Sequence, residues 1–150
     1  MNYHDIVKDD MLNGEGLRVT LFVAGCSHNC KGCQNPETWD PNGGIAFDEA
    51  AKTEIYEELS KDYISGLTLT GGDPLYEANV DALTTLLKNV KERYPDKSVW
   101  LYTGSVYEEV MHLPIFNYVD VVVDGEYIEE ERDTALRWRG SSNQRIIRIR

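Results

Sequence analysis

Cysteine is scarce in this 150-residue chain: there are three, all within the eight residues from Cys26 to Cys33. None remains elsewhere to cross-link the fold, which excludes a disulfide framework and leaves the three to be read as ligands. Long hydrophobic runs are missing too. The longest apolar stretches, near Val19 to Ala24 and Val119 to Val123, are far too short to span a bilayer. Residues 1–10 carry acids and no apolar leader core, so a soluble, cytoplasmic protein is expected. Positive charge is in short supply, with 15 Lys and Arg against 26 Asp and Glu for a formal net charge of -11. That balance repels polyphosphate backbones and disfavours sequence-independent nucleic-acid binding, so a nucleotide partner should be a small molecule. No internal repeat or low-complexity tract interrupts the chain. What is present, 41% hydrophobic and 27% charged residues, suits one compact domain spanning 1–150.

The patterning alternates between strand and helix. Leu17 to Ala24 is rich in β-branched and aromatic residues and runs into Gly25 and the cysteines, as a buried strand feeding a loop would. Beyond the turn at 41–44, Asp48 can cap a helix whose apolar positions Ala51, Ile55 and Leu59 recur every four residues. Ile64 to Thr70 reads as a second strand, ended by Gly71-Gly72-Asp73-Pro74. Asn79 then caps a helix with Val80, Leu83, Leu87 and Val90 inward. Ser98 to Thr103, Val106 to Leu113 and Tyr118 to Asp124 continue the alternation, with strands apolar on both faces as in a parallel sheet. The expected class is α/β. A closed eight-stranded barrel takes about 200 residues or more, so this chain should build an open, partial TIM-like barrel.

Cys26, Cys30 and Cys33 are spaced C-x3-C-x2-C in a loop after a strand. Three thiolates so close can grip one polynuclear iron-sulfur cluster, and the lack of a fourth leaves one iron open for chemistry beyond electron transfer. Zinc is the other reading, since His28 inside the loop would complete a Cys3His set. Zinc sites usually pair two separated knuckles, and four tetrahedral ligands from eight consecutive residues are awkward to pack. The spacing therefore favours iron-sulfur and leaves zinc open.

The same three cysteines resemble the hallmark of the radical S-adenosylmethionine enzymes. Around them, Asn13-Gly14-Glu15-Gly16-Leu17-Arg18, Gly25, and residues 35–39 resemble the glycyl-radical activating enzymes in particular. Within that group the chain is most similar to the proteins that activate anaerobic ribonucleoside-triphosphate reductase, with Gly32 where most relatives place an aromatic. Two departures stand out: Glu15 replaces a common proline, and Gln34 follows the third cysteine where an aromatic or histidine is usual. The resemblance implies a 4Fe-4S cluster on Cys26, Cys30 and Cys33, with S-adenosylmethionine contacted by Gly32, Gln34 and the Gly71-Gly72-Asp73 turn. That turn resembles the family's Gly-Gly-Glu element, which receives the methionine amino group, with Asp73 in place of glutamate. It further implies reductive cleavage of S-adenosylmethionine and hydrogen abstraction from a glycine of the partner reductase. A flavodoxin-like or ferredoxin-like protein would supply the electron, and a homodimer is left open.

Other features carry less. Arg137 to Gln144, with two arginines flanking Trp138, could stack on a purine or dock a protein, or be a solvated terminal segment. His28 is expected to be an exposed loop residue or a neighbour of the metal ligands, and His4 and His112 sit near segment ends without partners for acid-base work. Two further functions stay open: a small-molecule radical enzyme resembling 7-carboxy-7-deazaguanine synthase, and a metal-stabilised interaction module with no enzymatic role.

Overall fold

The computed structural model describes residues 1–33 and 36–150. Its framework is a seven-stranded mixed sheet ordered β3-β1-β2-β4-β5-β6-β7. The parallel centre is β2 (Arg18–Val23), β4 (Gly66–Gly71), β5 (Ser98–Tyr102) and β6 (Val121–Asp124). Antiparallel strands flank it: β1 (Asn2–Asp10) and β3 (Ile45–Ala46) on one side, β7 (Arg145–Arg148) on the other. The α/β class is as expected, and the sheet does not close on itself. No helix among the described residues is long and apolar enough to cross a membrane.

Helices α1 (Glu49–Leu59) and α2 (Val80–Arg93) provide two of the crossovers. Asp48 caps α1 as its position suggests, accepting the Ala51 amide at 2.9 Å. Asn79 stands at the N-cap of α2 but makes no cap bond; its side-chain amide donates instead to the carbonyls of Ala24 and Asp73. The stretch from Val106 to Leu113 forms only the one-turn α3 (Tyr107–Val110), with a 3-10 turn at Pro114–Asn117 behind it. Proline at 114 bars continuation of the helix.

Side chains alternate across a strand, and here the two faces differ. Val19, Leu21, Val23, Leu67, Leu69, Val99, Leu101 and Val122 pack with Ile55 and Leu59 of α1 and Leu83, Leu86 and Leu87 of α2 in one buried cluster. Each such side chain, fully buried, contributes about 1.5–3 kcal/mol of transfer free energy. The other face is not apolar throughout, contrary to the expectation for these strands. It carries Arg18, Thr20, Thr68 and Thr70, all buried, beside a small cluster of Trp100, Val121 and Val123. Among the described residues no helix joins the small cluster on this face; the β1–β2 loop and the last segment lie against it, through Asn13, whose carbonyl accepts from the Thr68 hydroxyl, and Trp138, edge-on to Trp100.

Arg18 is the anchor of this second face. It is 1% exposed and has no carboxylate partner among the described residues, yet its guanidinium donates to Thr68 Oγ1, Ser98 Oγ and the carbonyls of Glu15, Leu67 and Ser98. Burial pulls its pKa down to about 10, which still leaves it charged at neutral pH. Five oriented acceptors replace the water it has lost.

Candidate functional site: the cysteine loop and the cavity beneath it

Parallel strands present their C-terminal ends along one edge, where open α/β sheets hold ligands. Four connections meet at that edge. The cysteine loop leaves β2, the Gly71-Gly72-Asp73 turn leaves β4, residues 103–105 leave β5, and residues 125–127 leave β6.

The first two are joined by backbone. Asp73 donates its amide to the Gly25 carbonyl at 2.7 Å and Gly72 donates to the Val23 carbonyl at 2.9 Å. This approach is so close that a Cβ on Gly72 would stand 2.3 Å from the Gly25 carbonyl oxygen. Gly71 has φ +106°, a conformation that glycine reaches without strain. The glycine pair therefore admits the neighbouring loop. The cysteine loop is pinned on its far side by Gly25 to the Thr38 carbonyl and Cys26 to the Trp39 carbonyl, and it closes on itself from the Cys33 amide to the Cys30 carbonyl.

Side chains complete the joint. Asp73 is 3% exposed; its Oδ2 accepts from Thr103 Oγ1 at 3.0 Å and the Gly104 amide at 3.1 Å and pairs with His28 Nε2 at 2.8 Å, while Oδ1 accepts the Leu75 amide. His28 is enclosed, not exposed, with its side chain 18% accessible. Its Nδ1 faces Glu126 at 3.4 Å. The Asp73 hydrogen bond raises the His28 pKa against the opposing effect of burial, and Glu126 adds to the rise. Gly104 leaves room for the imidazole, since a Cβ there would lie 2.6 Å from the ring.

Cys26, Cys30 and Cys33 line one cavity of about 560 Å³ together with His28, Gly71, Gly72 and Asp73. Burial raises the Cys26 thiol, and burial with the Glu126 carboxylate 3.7 Å away raises Cys30 to about 11. Both thiols are protonated at neutral pH, so metal binding would release protons. Three soft sulfur donors at one cavity suit an iron-sulfur cluster. A single ion needs ligands converging within about 2.3 Å of one point. Among the described residues no three His, Cys, Asp or Glu side chains converge so.

Of the residues expected to contact a cofactor, Gly71, Gly72 and Asp73 border the cavity. Gly32 is not among its lining residues and faces the Glu129 carboxyl, 2.8 Å from where a Cβ would be. Gln34 lies outside the described residues. Sequence reasoning missed Tyr102 of β5 and Val123 of β6, which also line the cavity, whereas Trp138, Arg139 and Gln144 belong to the segment it singled out for a purine or a protein partner and border the same cavity. That segment is ordered around Gln144, whose Oε1 accepts the amides of Gly140 and Ser141 and whose Nε2 donates to the Gly125 carbonyl.

The family model of the 4Fe-4S single cluster domain matches residues 12–147. The chain is 48% identical to the anaerobic ribonucleoside-triphosphate reductase-activating protein of Enterobacteria phage T4, over 97% of this chain and 93% of the relative. It is 43% identical to the Haemophilus influenzae protein of that name, over 100% and 99%, and 38% identical to that of Escherichia coli (strain K12), over the full length of both.

Proposed function

This chain belongs to the family of anaerobic ribonucleoside-triphosphate reductase-activating proteins, and on that footing we propose that it cleaves S-adenosylmethionine reductively to place a glycyl radical on such a reductase. The observation that carries the reading is the set of three thiols, with no fourth cysteine in the chain, lining one cavity at the C-terminal edge of a parallel sheet. Cys26, Cys30 and Cys33 would hold the 4Fe-4S cluster. When bound, it supplies one electron to break the sulfur to C5′ bond, giving methionine and a 5′-deoxyadenosyl radical that takes a hydrogen atom from a glycine of the partner.

The chain's own residues bind and orient. The Gly71-Gly72-Asp73 turn would receive the methionine end, and Asp73 pairs with His28 of the cysteine loop and so holds that loop in place. Tyr102, Val123 and the last segment line the same cavity, where they would help orient a bound molecule. The four parallel strands with their crossovers would form part of a barrel, and its unclosed side could admit a loop of a large protein. A flavodoxin-like or ferredoxin-like protein in the cytoplasm would deliver the electron.

The test is anaerobic reconstitution with iron and sulfide, then electron paramagnetic resonance of the dithionite-reduced protein with and without S-adenosylmethionine. A reduced-cluster signal that shifts on adding S-adenosylmethionine, with 5′-deoxyadenosine and methionine formed, is expected. Bound zinc and no cleavage would sink the reading.

A further inference from the structure

Two buried polar atoms of residues that line this cavity have no partner among the described residues: the Tyr102 hydroxyl and Arg139 Nε. Both residues line the cavity that the three cysteines line. Buried donors left unpaired are uncommon, because each forfeits its hydration, so a ligand or water is the expected partner.

The surroundings hold both groups in place. Tyr102 ends β5, one residue from Thr103, which is itself bound to Asp73. Arg139 donates from Nη1 to the Gln144 carbonyl at 2.6 Å, and Gln144 is tied to Gly125 at the end of β6. The guanidinium is thus clamped on one side with its Nε unused. Burial, with a smaller contribution from Asp10, pushes the Tyr102 pKa upward, so the phenol keeps its proton and remains a donor. A permanent cation and a neutral donor on one wall fit a ligand rich in acceptors, such as a carboxylate or a nucleoside.

We propose that Tyr102 and Arg139 are binding residues for S-adenosylmethionine, donating hydrogen bonds to its carboxylate or nucleoside acceptors in the cavity that the cysteines also line. This assigns a role to the last segment, and it rests on the function proposed above.

The test measures binding rather than turnover. The anaerobically reconstituted protein is titrated calorimetrically with S-adenosylhomocysteine, which cannot be cleaved in the same way, and separately with adenosine. Tyr102→Phe removes only the unpaired hydroxyl. It should weaken S-adenosylhomocysteine about three- to tenfold while the melting temperature of the ligand-free protein stays level or rises. Arg139→Gln, which loses a charge-assisted bond, should weaken it about tenfold or more. Parallel weakening of adenosine places the donors at the nucleoside end; unchanged adenosine binding places them at the amino-acid end. Wild-type affinity in both variants would overturn the inference and leave water as the partner of these atoms. Absence of binding by the wild-type protein would instead overturn the proposed function, and this assignment with it.

Discussion

On one face of the central sheet, Val19, Leu21, Leu67, Leu69, Val99 and Leu101 are shut from solvent by α1 and α2, while the same strands turn Thr20, Thr68, Thr70 and Arg18 to the other face. The first face is held by area removed from water, which tolerates any side chain of the right volume. The second is held by directional bonds, as from Arg18 to Thr68 and from Thr68 to Asn13, and it leaves a cavity where packing stops. Stability is concentrated on the helix side and chemistry on the other, so substitutions on the two faces should fail in different ways.

The largest effect is expected at the cysteines. Replacing any of Cys26, Cys30 or Cys33 by Ala should abolish 5′-deoxyadenosine formation while circular dichroism and melting stay close to wild type; full activity in such a variant would remove that cysteine from the ligand set. On the helix side the converse holds. Leu69→Ala empties a fully buried site and should cost about 2–5 kcal/mol in chemical denaturation. A cost below 1 kcal/mol would mean that this face is not the main core.

Gly72→Ala probes the junction between the loops. Its Cβ would meet the Gly25 carbonyl oxygen, a backbone atom that must shift, so a loss of about 1–3 kcal/mol is expected together with lower iron content after reconstitution. Normal iron content would show that the loop has slack.

A finer contrast lies between two threonines on the cavity side. Thr68 Oγ1 accepts from Arg18 and donates to the Asn13 carbonyl, so Thr68→Val should cost about 1–3 kcal/mol. Thr20 Oγ1 is buried without a partner among the described residues, so Thr20→Val should be neutral or stabilising by up to about 1 kcal/mol. Equal costs at both positions would contradict the picture of a face held by specific bonds.

The smallest effect is in acid. Burial pushes the Asp124 carboxyl up, but hydrogen bonds from Arg145 and the Tyr107 amide outweigh it and hold its pKa below the ordinary 3.8. A depressed folded pKa stabilises fully above 3.8 and is lost as pH falls through the folded value. The stability gap between wild type and Asp124→Asn should therefore be open at pH 7 and narrow as the pH drops below 3.8 and through the lowered folded value; a gap independent of pH would rule out the ion pair as its source.

What could be read in advance follows sequence distance. Strands β2, β4, β5 and β6, helices α1 and α2, and the Asp48 cap all announce themselves by patterns within ten or fifteen residues. Strand β1 did not, because Asn2–Asp10 carries three acids and gets its regularity from pairing with β2 and β3. Asn79 looked like a cap from its neighbours, yet its amide is drawn off by Ala24, fifty-five residues earlier. The sequence leaves His28 as either an exposed loop residue or a neighbour of the metal ligands, because the groups that enclose it, Asp73 and Glu126, come from two other connections.

The amino-acid sequence by itself determined the α/β alternation and the three-thiol set, since both rest on spacing along the backbone. Only the tertiary structure decided that Asp73 would clasp His28, that Gly72 would make room for the cysteine loop, and that Tyr102 and Arg139 would share a cavity with the cysteines. Those contacts join residues tens of positions apart, and no local periodicity encodes them: they exist because parallel strands bring their C-terminal ends to one edge.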